Sequence, residues 1–288
     1  MKRIINSIMV TVFAVVLFTG SFFSKLETNN TSASDDFIPS ENWVVNEDET
    51  PVEIDDYELN KYVKLGEIDD VTISVPFTEV DDAYVRQQIN DMLAEYPEER
   101  VYETLDDDYV KEYFELDTVE DLYNSVKDYC TLQSDNEKTN TAFQMFIEKA
   151  LSISEVNVPY ELLNHKRKLY LSKLKKSIED NGLTVTDYVQ NFYGQTEEEF
   201  FKSVTEMIEE SLKKQMMLAC YAKENAIVLD AKEYESYKQS FISYYGYESD
   251  EALYKDYSES ELKLSCLCNQ VVEMLLDVIH VNYIPAKN

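Results

Sequence analysis

A mainly α-helical fold is predicted from three observations. The 288 residues include only Gly 5 and Pro 6, far too few for a chain built on tight β-turns. Long stretches repeat apolar residues at the three-and-four spacing of one helix face, as in Phe201, Val204, Ile208 and Leu212. Those stretches open on residues that satisfy unpaired backbone N–H groups, such as Thr196 with Glu199 three positions on, and close on Gly182 and Gly194. A short β segment is expected only near the N-terminus of the body.

Met1 to Phe23 reads as an export signal, with Lys2 and Arg3 ahead of an apolar run and small residues at Thr19-Gly20-Ser21. Two outcomes stay open: cleavage after Ser21, or retention as an anchor, since the run nearly reaches spanning length. Residues 1–25 are taken as signal peptide or anchor. The first cysteine, Cys130, lies too far on for a lipid anchor beside the signal. Residues 26–60 are acidic and poor in apolar residues, and are expected to be a flexible tether. Trp43, Val44 and Val45 form an apolar island there, either docked or exposed.

Residues 61–100 are expected to hold a strand and a linker helix. Tyr62 to Gly66 and Val71 to Pro76 read together as a strand with alternating faces. Thr78 and Asp81 then cap a helix carrying Val85, Ile89, Met92 and Leu93. Residues 101–288 are expected to form one helical domain. Asp106, Asp107 and Asp108 start a helix or, less simply, gather a hard cation. Thr118 with Asp121 opens a helix with Leu122, Val126 and Tyr129, continued by Phe143, Phe146, Ile147 and Ala150.

Pro159 suits the first position of the next helix, where a missing N–H costs nothing, and Leu163, Tyr170, Leu174 and Ile178 follow at helical spacing. Asn181-Gly182 ends that helix. Thr184 begins a short one that Gly194 ends, and Thr196 begins a long one running past Ala219. After a turn at Asn225-Ala226, Asp230 caps another helix. Ser258 with Glu261 starts a last helix, apolar nearly all round and so expected to be buried. Val281 to Ile284 reads as a short extended end.

The stretch from Val158 to Glu233 resembles the C-terminal chaperone domain of the trigger factor family. The resemblance rests on VP before a basic amphipathic helix, then NGLTVTDY, GQTEEEF and KENAIVLDAKEY, with DTVEDLY at the entry to the first long helix. It implies a helical peptide-binding domain with extended arms, covering about Tyr62 to Tyr283. The chain departs from the family in two respects. Between Pro97 and Thr104 there is no room for an isomerase domain of the FKBP type, and the family's ribosome-binding loop (Gly-Phe-Arg-x-Gly-Lys-x-Pro) does not occur.

The formal charge of −31 makes nucleic acid and anionic membrane surfaces poor partners. Contact with a membrane is expected only through an uncleaved signal anchor, and contact with the ribosome is not expected. No phosphate-binding glycine loop, Gly-x-Ser-x-Gly, His-Glu-x-x-His or Cys-x-x-Cys pair occurs, and neither catalysis nor a cofactor or metal is expected. His165, among Lys166, Arg167 and Lys168, is expected on a solvated face, and His280 in the core or at its rim. Cys130, Cys220, Cys266 and Cys268 are expected to be small buried hydrophobes. The candidate binding residues are aromatic and methionine: Tyr188, Phe192, Tyr193, Met207, Met216, Met217, Phe241, Tyr244, Tyr245 and Tyr247. Tyrosine presents an amphipathic face, and methionine repacks at low cost. What the resemblance implies is an ATP-independent holdase for unfolded polypeptides, and the Met1–Phe23 segment adds the expectation that it is exported. The alternatives are a surface scaffold with one dedicated partner and a prolyl isomerase-type folding factor.

Overall fold

The computed structural model describes residues 37–44, 51–96 and 100–286. The signal segment and the first part of the expected tether lie outside them. In chain order the elements are β1 (Val63–Lys64), β2 (Thr72–Phe77), α1 (Asp82–Leu93), α2 (Asp107–Phe114), α3 (Val119–Ser152), β3 (Glu155–Val156), α4 (Tyr160–Asp180), α5 (Val185–Tyr193), α6 (Glu197–Glu224), α7 (Ala231–Tyr245), α8 (Asp250–Asp256), α9 (Glu259–Val278) and β4 (His280–Pro285), with short 3-10 turns between. The fold is mainly α, as predicted. Among the described residues, one compact unit comprises those up to Val71 with Ile147–Val278, and the other those of Thr72–Phe146 with those from Ile279 on.

The larger unit is built on α6. Thr196 accepts from the Glu199 N–H at 3.2 Å while Glu199 accepts from the Thr196 N–H at 2.8 Å, so the capping box forms as read from sequence. From there α6 buries Phe200, Phe201, Val204, Ile208 and Leu212 on one stripe, and between Gln215 and Cys220 it is buried all round. Each large apolar side chain so buried stabilises the fold by about 1.5–3 kcal/mol. Helices α4, α5 and α9 pack on it. Gly194 takes φ 65° to end α5 and Gly182 takes φ 75° after α4, the left-handed conformations that favour glycine. Helix α9 buries Leu262, Cys266, Cys268, Val271, Val272 and Leu275, although Met274 is exposed. All four cysteines are buried free thiols.

The single strand expected over Tyr62–Pro76 is instead two strands in two sheets. Val63 and Lys64 pair antiparallel with Val156 and Glu155, and Thr72–Phe77 pairs in parallel with His280–Pro285. Gly66 separates them for a steric reason: a Cβ there would sit 2.4 Å from the Ile153 carbonyl oxygen. The extended C-terminal segment is present as β4, with His280 exposed rather than buried.

The described part of the expected tether is docked. Trp43 is 2% exposed, stacked on Phe200 with ring centroids 6.5 Å apart, and its indole N–H donates to the Ile38 carbonyl at 2.7 Å. Phe37 meets Phe201 edge-on at 5.8 Å, and Ile54 and Leu59 are buried in the same core. Val44 stays exposed. The basic run on α4 is corrected too. Arg167 is 2% exposed, lies 4.6 Å above the Phe201 ring and donates to Thr205 and Asn164, while His165 is also buried. Helix α4 is covered on more than one face, so half of this run points inward.

The smaller unit has its own core of Val85, Ile89, Leu93, Tyr109, Val110 and Leu122. Asp81 caps α1 by accepting from the Tyr84 N–H at 2.8 Å. Asp106 caps α2 by accepting from the Tyr109 N–H at 2.8 Å, and it also pairs with Arg100 at 2.8 Å. Asp107 accepts from the Val119 N–H. The acidic run is therefore spent on helix ends, and no metal-holding cluster occurs among the described residues. No helix of the described residues is long and apolar enough to cross a membrane.

Candidate functional site

A cleft of about 450 Å³ opens in the larger unit between α4, α6 and the start of α9, closed at one side by Glu53 and Ile54. Helical spacing places its apolar wall. Tyr170 and Leu174 lie one turn apart on α4, Met207 and Ile208 precede Leu212 on α6, and Leu264 faces them from α9. Its charged groups are Lys166, Lys173 and Lys214 with Glu53, Glu210, Asp256 and Glu261, a rim of mixed sign.

One end of the cleft is cross-braced. The Lys166 ammonium lies 2.6 Å from Glu53 and 2.9 Å from Glu261. Ser258 donates through its hydroxyl to Glu53 and through its N–H to Glu261 at 2.9 Å. Burial pushes the Glu261 carboxyl up, but the adjacent Lys166 charge and these hydrogen bonds hold it below its ordinary range. Lys173 donates to the Asp256 carbonyl oxygen and sits 5.5 Å over the Tyr257 ring.

The two predicted aromatic clusters adjoin this cleft through different wall residues, Tyr170 and Tyr257. Tyr170, on the cleft wall, adjoins Tyr188, and burial followed by that neighbour raises its phenol to about 12. Tyr188 in turn packs on Phe192 at 5.0 Å and Tyr193 at 5.8 Å. Tyr257, also on the wall, meets Phe241 edge-on at 5.1 Å, and Phe241 packs on Tyr245 at 4.5 Å. Tyr244 stands across Tyr245 at 4.8 Å, and the Tyr247 hydroxyl donates to Asp256 at 2.9 Å.

Of the ten candidate residues, Met207 lines the cleft itself. Phe192 is 68% exposed, Tyr244 and Tyr245 are exposed, and Tyr188, Tyr193 and Tyr247 are half-buried. Met216, Met217 and Phe241 are core residues that present no surface, because α6 is enclosed where the two methionines fall and Phe241 anchors its own cluster. Sequence reasoning missed Tyr257, Leu264, Lys166 and Ile54 as site residues, and read Tyr170 only as part of a helical stripe. Tyr170 and Leu264 lay on readable helical stripes, whereas Ile54 gave no local signal.

The model of the family "Bacterial trigger factor protein (TF) C-terminus" matches residues 118–277, more than half of the chain. The chain belongs to this family. The trigger factor of Halothermothrix orenii is 27% identical over 132 residues, covering 46% of this chain and 30% of the relative. That of Syntrophomonas wolfei is 21% identical over 189 residues, covering 65% and 43%. That of Caldicellulosiruptor saccharolyticus is 21% identical over 176 residues, covering 60% and 40%. The chain thus spans less than half the length of these relatives. A solved structure of the trigger factor chaperone, from work on its promiscuous substrate recognition in folding and assembly, aligns over 60% of this chain and 42% of its own at 21% identity, with a TM-score of 0.36.

Proposed function

We propose that this protein is an ATP-independent chaperone that holds unfolded polypeptides after export and has no prolyl isomerase activity. The observation that carries the reading is one apolar cleft adjoined by two partly exposed aromatic clusters, in a chain of the trigger factor C-terminal family. Such a surface is wide and unspecific in shape. It accepts apolar side chains without demanding a sequence, while the strong negative charge keeps loaded copies apart. Export rests on the Met1–Phe23 segment. The lack of isomerase activity rests on the short stretch between Pro97 and Thr104, which leaves no room for that domain.

The test is light scattering of a chemically unfolded protein diluted into buffer with and without this chain. Suppression at near-stoichiometric ratio is expected. It should fall several-fold when Phe192, Tyr193, Tyr244 and Tyr245 are replaced by Ser with helicity unchanged. If no test protein is held in solution, the general-chaperone reading fails and a dedicated-partner scaffold takes its place. Acceleration of a proline-limited refolding reaction would overturn the isomerase-free part. Processing of the first 25 residues during secretion from cells, read by mass, tests export.

A further inference from the structure

We propose that Pro51–Glu58 is a latch occupying part of the client cleft, and that a client must displace it to bind fully. The proposal rests on the chaperone reading of that cleft and adds its regulation. Ile54 is 1% exposed and forms cleft wall, so its side chain fills volume that an apolar client residue would otherwise take. Beside it, Glu53 occupies the Lys166 ammonium, which is 14% exposed at its side chain and is otherwise paired with Glu261.

The way the latch is held suits release. Within the segment the Asp56 N–H donates to the Glu53 carbonyl and the Tyr57 N–H to the Ile54 carbonyl, and at its end the Glu58 carbonyl accepts from the Lys61 N–H, where the anchored turn begins. Side chains hold it to the helices: the Glu53–Lys166 pair, the Ser258 hydroxyl on Glu53, a 3.5 Å contact of Ser260 with Asp55, the Ile54 plug, and half-buried Val52 and Tyr57 packed on the same core. Segments fastened this way open at lower free energy than strands or helices in a ladder. The following residues are anchored differently. Leu59 is buried, and the turn Leu59–Lys61 packs on α6, so movement is confined to the stretch before it. Electrostatics also favours release, because Glu53, Asp55, Asp56 and Glu58 sit on a chain already carrying −31.

The test compares the full chain with Glu53→Gln and Glu53→Lys, both checked for unchanged helicity. Two probes are used: a reduced, alkylated unfolded polypeptide, and an apolar fluorescent dye whose emission rises on burial. The latch predicts tighter binding of both probes to Glu53→Gln by about three- to ten-fold, and tighter still to Glu53→Lys, where like charges meet at Lys166. Equal affinity of all three proteins for the polypeptide overturns the latch and makes Pro51–Glu58 a fixed wall. If no protein binds the polypeptide, the chaperone reading fails and the dye decides the latch. Stronger dye binding by the variants supports it, and equal dye binding overturns it.

Discussion

The two units of this chain solve the same packing problem with different chemistry. The larger is organised on one enclosed helix, α6, and takes charged side chains inside: Arg167 over Phe201, Lys166 between two carboxylates, and Lys238 between Glu235 at 3.0 Å and Asp250 at 2.7 Å. The smaller packs a cluster around Val85, Ile89 and Leu122 and sets cations over aromatic rings, with Arg86 over Tyr102, Arg100 over Tyr109 and Lys138 over Phe77. The difference shows where an apolar surface can be left open. The cleft lies in the unit whose buried charges fix helix positions without filling the space between them.

Breaking the smaller core should have the largest effect. Leu122→Ala removes a fully buried side chain from a cluster of six and should cost about 2–5 kcal/mol. If the units hold their structure independently, hydrogen exchange should quicken in α1 and α2 while α6 keeps its protection. Equal loss in both would mean that they unfold as one.

Acid should act on the larger unit. A carboxyl held below its ordinary value of 4.5, as Glu261 is, contributes stability that is fully present above that value. The contribution is lost as pH falls through the lowered value. Thermal stability should therefore drop more steeply below pH 4.5 in the parent than in Glu261→Gln, which has already lost it. The groups facing Glu261 are Lys166 and Lys173 from α4 and the Ser258 N–H, while Glu53 shares Lys166. Parallel melting curves across this range would remove the ion-paired centre from the account of the larger unit.

The smallest effect sharpens the contrast at helix ends. Thr196→Ala on α6 and Thr118→Ala on α3 each remove a hydroxyl that accepts a backbone N–H, at 3.2 Å and 3.1 Å. Each should cost about 1 kcal/mol, read as denaturant midpoint. The Thr196 change should shift protection in α6, and the Thr118 change in the first turns of α3.

Local chemistry was legible in the sequence and long-range chemistry was not. The caps at Asp81, Thr118, Thr184, Thr196 and Asp230 and the glycine stops at 182 and 194 are settled within four residues, so reading them needs nothing else. The fusion of β1 with β2 into one strand failed because their partners are distant. Lys64 pairs with Glu155, 91 residues on, and β2 pairs with the far end of the described chain. Ile54 and the Trp43 island lie in an acidic stretch, and only the tertiary surface beneath them explains the burial of Ile54 and Trp43. At the site, the exposed aromatics Phe192, Tyr244 and Tyr245 were found by residue type. Met216 and Met217 were misplaced because the enclosure of α6 depends on which helices surround it.

The parallel pairing of β2 with β4 has a consequence for the order of events during synthesis. Thr72–Phe77 is made early, but its ladder partner is made only after every helix of the larger unit has emerged. Until then β2 carries an unsatisfied row of N–H and C=O groups and the smaller unit lacks its last element. Contacts of such sequence separation form late and slowly. The β2–β4 ladder can therefore close only once the last described strand arrives, joining an early segment of the chain to a late one.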